Sequence, residues 1–207
     1  MVRSGFAKVP VAQRHAIVAA ATEEFAAHGF HNASLNRILE ATGMSKGSMY
    51  HYFDGKSDLF AYVVRVELEQ LMRGVEPLDL TTTTTPDGFW SALATYYLDL
   101  MSALRAAPQL AAMIRAWIAA SGTSEMQHVQ KELETVIGPW MQQVLATGQG
   151  IGAVRDDLPP GMLIAVAGAM GQAIDTWLMT QAPEAEDLPR LTSASIGMIR
   201  RALEARP

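Results

Sequence analysis

The stretch Gly43 to Lys56, Gly-Met-Ser-Lys-Gly-Ser-Met-Tyr-His-Tyr-Phe-Asp-Gly-Lys, constrains the fold more than any other part of the chain. Just upstream, Leu35, Ile38 and Leu39 recur at helical spacing behind Ser34, a good N-cap residue. Gly43 ends that helix, because only glycine enters the left-handed conformation without steric cost. Ser45 caps a second helix two residues later. Two short helices joined by a tight, glycine-containing turn make a helix-turn-helix.

Met49 and Phe53 lie four apart on the second helix and face a core. The remaining surface, Ser45, Lys46, Gly47, Ser48, Tyr50, His51 and Tyr52, has donors, small residues and one cation, with no carboxylate before Asp54. Such a face suits the groove of a polyanion. Lys56 adds a cation beside the exposed N–H groups that open the next helix, a phosphate-binding arrangement. The alternative is a small helical core with a wet aromatic face.

The same residues hold a competing motif. Gly43-Met44-Ser45-Lys46-Gly47 matches G-x-S-x-G, the nucleophile elbow of serine hydrolases. That elbow needs a buried strand before the serine. Leu35 to Thr42 has helical periodicity instead, and His128 is the only histidine after His51, so no Asp-then-His order follows. The elbow is rejected.

With 207 residues the chain can bury a real core in one or two domains. Apolar residues make up 49%, alanine and methionine are prominent and β-branched runs are scarce, which favours an all-α protein. The absence of cysteine excludes disulfides and thiolate metal sites and points to the cytoplasm. Met1 to Val9 carries charges and no apolar segment, so no signal peptide is expected. The net charge of −5 argues against nucleic acid until its distribution is considered. Residues 1–56 hold six Lys or Arg against four acids, which leaves ten against seventeen in the remainder. A mildly positive head on an acidic body is what local phosphate contact requires.

A first helix starts at Pro10 and turns Ile17, Val18, Ala21 and Phe25 inward, with Gly29 closing it. A longer helix runs from Ser57 to about Arg73 and connects head to body. The order Arg14, Ile17-Val18, Ala20-Ala21, Phe25, Gly29-Phe30, Ser34-Leu35, Ile38, Gly43 to Ser48, Tyr50, Tyr52-Phe53, Lys56, Leu59 resembles the N-terminal domain of TetR-family transcriptional repressors. The resemblance covers the first third of the chain. It implies DNA contact by Ser34, Gly47, Ser48, Tyr50, His51, Tyr52 and Lys56, with Ser34 and Lys56 on phosphates. Leu39 and Thr42 depart from the family's small alanines, which puts the docking angle in question.

The expected architecture is therefore all-α with about nine helices. Residues 1–56 form a three-helix DNA-binding domain with the helix-turn-helix, and residues 57–207 a larger helical effector-binding and dimerisation domain. Glu76 to Thr85, with Pro77 and the run Thr81 to Thr85, is a loop. Helices follow from Pro86 to about Ala106, from Pro108 to near Ser121-Gly122, from Thr123 or Ser124 to Gly148 with a bend at Gly138-Pro139, from Gly161 to Thr180, and from Leu188 to Ala205.

The helix from Gly161 is the most apolar. Its run from Pro160 to Gly171 meets Gln172 and then Asp175, short of the roughly 18 residues a membrane span needs. No membrane is expected. Small residues repeat every four at Gly161, Ala165, Ala169 and Ala173, with Gly168 beside them, and permit close approach of another helix. The last helix offers Leu188, Leu191, Ser195, Met198 and Ala202 as a heptad-like seam. Ala165, Gly168, Ala169, Gln172, Leu191, Ser195, Met198 and Ala202 are thus expected at a four-helix homodimer interface, as the resemblance also implies. The alternative is ordinary packing within one chain.

Trp90, Tyr97, Met101, Met113, Trp117, Trp140, Met141, Met170 and Trp177 are candidate lining for an apolar or aromatic small-molecule effector, though core helices also need such residues. Arg105, Arg115, His128 and Asp175 are candidate polar anchors. No cofactor or metal is expected. The reading is a cytoplasmic, ligand-responsive repressor that binds a palindromic double-stranded DNA operator as a homodimer and is not an enzyme. The rivals are a helical small-molecule-binding enzyme and a protein-interaction adaptor. No convergent acid/base or nucleophilic group supports the first, and the second leaves the helix-turn-helix unused.

Overall fold

The computed structural model describes residues 3–120 and 124–205. Among these residues the chain is helical. A 3-10 turn at Ser4–Lys8 precedes α1 (Val11–Asn32), α2 (Leu35–Thr42), α3 (Lys46–Tyr52), α4 (Lys56–Arg73), α5 (Pro86–Arg105), α6 (Pro108–Ala120), α7 (Ser124–Gly150), α8 (Pro160–Gln181) and α9 (Leu188–Leu203). The only extended pairing there is an isolated bridge between Val154 and Glu204. Ser121, Gly122 and Thr123, expected around the α6–α7 junction, lie outside the described residues.

Local side-chain chemistry sets the helix ends. Ser34, Ser45 and Thr85 each accept from the N–H three residues on, at Arg37, Ser48 and Gly88. Gly43 ends α2 in the left-handed region, at φ 64° and ψ 15°. Gly29, at φ 68° and ψ 176°, breaks the helical path of α1 and turns Phe30 back onto the core. In the threonine-rich loop the Asp79 carboxylate accepts from the Thr81 N–H and hydroxyl at 2.8 and 2.6 Å.

The helices form two compact units, Met1–Leu71 with Ala107–Thr135, and Met72–Ala106 with Val136–Pro207. In the first, α1 packs on α2 and α6. Its core centres on Ile17, Phe25, Ile38, Met49, Phe53, Leu59, Phe60 and Val63, all fully buried, and Phe25 meets Phe60 edge to face at 4.9 Å. In the second, α5 and α8 each pack on α9. Phe89, Trp90, Leu145, Ala153, Val154, Leu163 and Leu203 form its core, and the Trp90 indole N–H donates to the Ala153 carbonyl at 3.2 Å.

One expectation needs correcting. α8 runs 22 residues and is, by length and composition, long and apolar enough to cross a membrane, with mean hydropathy 1.4. Gln172 and Asp175 do not interrupt it, because a helical span is judged over its whole length and tolerates isolated polar positions. Only 11% of its apolar window is buried within the chain, so most of this surface meets no partner in a single copy.

Gly148 marks a close backbone approach. A Cβ there would lie 2.6 Å from Val154 Cγ2 and 2.8 Å from Phe89 Cζ. Gly148→Ala should destabilise the protein by about 1–3 kcal/mol through overpacking, read as a Tm several degrees lower by circular dichroism.

Candidate nucleic-acid interface

α3 spans seven residues. The Ser45 hydroxyl caps its start and lies 2.8 Å from the Ser48 hydroxyl, while Met49 and Phe53 anchor it in the core. Lys46, Gly47, Tyr50 and His51 are exposed, Tyr50 at 46%, and Ser48 and Tyr52 are half-buried. The helix therefore presents a solvent face with a cation and no acid before Asp54. The segment that precedes it is α2, a helix, which removes the strand a nucleophile elbow would need.

Beneath the C-terminal end of α3 lies a support that sequence reasoning missed. The 3-10 turn inserts Phe6, 2% exposed, among Tyr52, Phe53 and Tyr62 at centroid distances of 5.3, 4.9 and 5.2 Å. The Arg3 N–H donates to the Tyr52 carbonyl at 3.0 Å, and the Arg3 guanidinium pairs with Asp54, just past the end of α3. The available signal was a single aromatic residue, Phe6, ahead of Pro10.

The corner between α1 and α2 is tied by a carboxylate. Glu24, buried on α1, accepts from the Ser34 N–H at 2.7 Å and from Arg37 Nε at 2.9 Å. The Arg37 guanidinium holds the Glu24 carboxyl below the usual carboxylate range. Burial opposes this, and the Ser34 N–H adds to it. Arg37 is thus committed to structure. Lys56 is partly committed too, since its ammonium donates to the carbonyls of His31 at 2.8 Å and Ala33 at 3.2 Å and lies 4.9 Å from the Phe30 centroid. Between α2 and α3 an open depression of about 360 Å³ is lined by Ser34, Asn36, Leu39, Lys46, Tyr50 and Lys56, among others. Leu39 is accommodated in its wall. The geometry brings Ser34, Lys46, Tyr50 and Lys56 to one concavity, with Ser45, Gly47, Ser48, His51 and Tyr52 on or beside the same helix.

The candidate effector residues divide between the units. Met113, fully buried, and Trp117 pack in the first core. In the second unit Trp90 and Met101 are buried, Met141 and Met170 are half-buried, and Trp140 and Trp177 are 37% and 50% exposed. Trp140 lies 5.9 Å from the Tyr96 ring. The Tyr97 hydroxyl donates to Asp175 Oδ1 at 2.6 Å. Arg105 donates to the Pro183 carbonyl, Arg115 is exposed, and the His128 side chain lies outside those described.

The candidate dimer residues on α8 face outward at Ala165, Ala169 and Gln172, while Gly168 is half-buried within reach of Met141. On α9 the seam is shifted. Met198 is 44% exposed, but Ser195 is buried at 7%, Ala202 packs against the second core and Leu191 is half-buried. Ser195 and Ala202 thus face inward, and the outward stripe runs through Arg190, Ala194, Met198 and Arg201.

Comparison with known proteins adds the following. Residues 17–63 match the family described as bacterial regulatory proteins, tetR family. The chain is 36% identical over 66 residues to the HTH-type transcriptional repressor AcnR of Corynebacterium efficiens, covering 32% of this chain and 35% of that protein. The chain therefore aligns with about a third of the length of such relatives. A tetR-family regulator structure from Shewanella sp. PV-4 superposes with TM-score 0.68 at 18% identity, covering 94% of this chain and 99% of that one. The regulator FadR of Bacillus subtilis, solved in complex with stearoyl-CoA, gives TM-score 0.68 at 20% identity, with 90% and 97% covered. These likenesses establish the fold.

Because Glu24 is held below its ordinary value of 4.5, its contribution to stability is complete above that pH and lost as pH falls through the depressed value. In acid titrations followed by circular dichroism, Glu24→Gln should be less stable at neutral pH and should lose less stability below about pH 4.5 than the wild type.

Proposed function

We propose that this chain, whose residues 17–63 belong to the tetR family of bacterial regulatory proteins, is a ligand-responsive transcriptional repressor. It binds a palindromic operator as a homodimer and is released by a small apolar or aromatic effector. One observation carries the reading: the exposed face of α3 at Lys46, Gly47, Tyr50 and His51, supported from below and free of acids. Residues 1–56 act as the reading head and 57–207 as the effector and dimerisation body. Tyr50 and His51 reach base edges, Lys46 and Ser34 take phosphates, and Lys56 acts as a fixed charge while it holds the end of α1.

The two-copy form is supported by α8. Met162, Val166 and Trp177 are exposed at 53%, 38% and 50%, and Gly161, Ala165, Ala169 and Ala173 form an exposed small-residue stripe. Bringing a second α8 against that stripe, with Met198 of α9 beside it, removes apolar surface from water without a bilayer. The proposal assigns a cytoplasmic location, no membrane partner and no catalysis. An apolar effector is supported by the FadR likeness, whose structure holds stearoyl-CoA.

In the free dimer the two α3 helices enter successive major grooves about 34 Å apart. Effector binding in the body acts through α4, whose Leu59, Phe60 and Val63 pack in the core of the first unit, and the two heads no longer match both half-sites. α6 offers a second route, because it packs directly on α1 within the first unit.

On an operator obtained by in vitro selection, Tyr50→Ala should cost about 1–3 kcal/mol of specific affinity and little non-specific affinity. Lys46→Ala should weaken binding on all sequences and reduce the salt slope by about one. Unchanged affinity in both variants overturns the assignment. Sedimentation velocity without detergent should give a dimer for the wild type and a monomer for Ala169→Arg at micromolar concentration.

A further inference from the structure

The side chains that α3 turns to solvent are not equally free. Lys46 and Tyr50 line the open depression toward α2. His51 lies further round the helix, on the side of the 3-10 turn Ser4–Lys8. Although His51 is exposed, its imidazole meets the Tyr52 ring edge to face, with centroids 5.1 Å apart. Its other neighbour is Gly5. A Cβ built on Gly5 would stand 3.4 Å from His51 Nε2 and 3.9 Å from His51 Cδ2. The Nε2–Cδ2 edge of the imidazole thus rests over the bare backbone of Gly5, which leaves Nδ1 on the far side of the ring.

The turn that carries Gly5 is itself anchored. Phe6 is buried and packs edge to face on Tyr52 at 5.3 Å, and the Arg3 N–H donates to the Tyr52 carbonyl at 3.0 Å. Phe6, Tyr52 and His51 therefore form a chain of rings from the core to the surface, and Gly5 closes its outer end. A side chain seated in this way has lost part of its rotamer freedom before any partner arrives. Its contact with that partner costs less ordering and tolerates less misplacement. Glycine supplies the space for the seat. An alanine asks the imidazole to give by a few tenths of an ångström at most, whereas a longer side chain takes the ring's place.

We propose that the amino-terminal turn sets part of the base specificity of α3 through His51. Gly5 is a positioning residue that holds the imidazole in one orientation, and the Nδ1 edge then reads one base pair in each half-site. This rests on the DNA-reading assignment above and goes beyond it, because a residue outside the helix-turn-helix decides which base edge His51 meets. The major groove presents a different donor and acceptor pattern for each base pair, so a fixed hydrogen-bonding edge discriminates where a swinging one does not. Phosphate contacts are independent of that orientation, and the sequence-independent part of binding is left as it is.

The test is operator selection by the full chain, followed by competition binding at each base position. His51→Ala identifies the base pair by flattening its preference about fivefold or more. Gly5→Leu should flatten the same pair by a similar factor, with the other positions and binding to unrelated DNA unchanged. Gly5→Ala, which displaces the ring only slightly, should keep most of the preference. Gly5→Leu added to His51→Ala should change nothing further, a result that a merely structural role for Gly5 does not give. An unaltered base profile in His51→Ala or in Gly5→Leu overturns the inference. So does a Gly5→Leu loss that spreads evenly over the site or that persists without the imidazole. A wild type that selects no sequence overturns the repressor reading itself, whereas selected operators indifferent to Gly5→Leu overturn only the present inference.

Discussion

A helix of seven residues does not hold its own shape in water, since the cost of nucleating it exceeds what so few hydrogen bonds return. α3 is therefore helical only because of what it is pressed against. Ser45 caps its start, Met49 and Phe53 anchor its inner side, and Phe6 wedges under its end while the Arg3 N–H donates to the Tyr52 carbonyl. Met49, Phe53 and Phe6 hold α3 from the buried side and Ser45 from its end, which leaves Lys46, Gly47 and Tyr50 without a structural task. That freedom lets the outer face be chosen for what it touches outside the protein.

How much of this was legible in the sequence depended on the distance between partners. The caps at Ser34 and Ser45 and the left-handed turn at Gly43 act on residues within four positions, and the sequence showed them. The seat under α3 was invisible because Phe6 meets partners that arrive after α1 and α2. The ammonium of Lys56 looked available for DNA because its acceptors, carbonyls at the end of α1, are fixed only by the folded corner. α9 failed for another reason. Thr192 and Ser195 are buried, and Thr192 returns its hydrogen bond to the Leu188 carbonyl. A polar side chain that closes on its own backbone can sit inside while reading as surface, which moves the apparent seam around the helix.

α8 shows what hydropathy alone cannot separate. A bilayer and a partner helix both remove an apolar face from water, so the same composition satisfies either. What the every-fourth series of Gly161, Ala165, Ala169 and Ala173 adds is room for a second helix to approach closely, a need that arises in water and in a bilayer alike. The large exposed side chains, Met162, Val166 and Trp177, flank that series and offer flanking contacts to a helix seated along it.

The two faces of α8 also bear on how a signal would travel. Its outward stripe is proposed to hold the second copy, and its inward side carries Asp175. If two copies pair along that stripe, as proposed, a change on the inward side of α8 acts on the helix that joins them. Operator binding depends on spacing between two rigid heads, and a head whose seat under α3 is unchanged can still lose its site when its partner's distance is wrong. For the repressor proposed above, a rigid seat under α3 and a movable pairing of α8 would be complementary requirements, since a soft head would absorb any displacement.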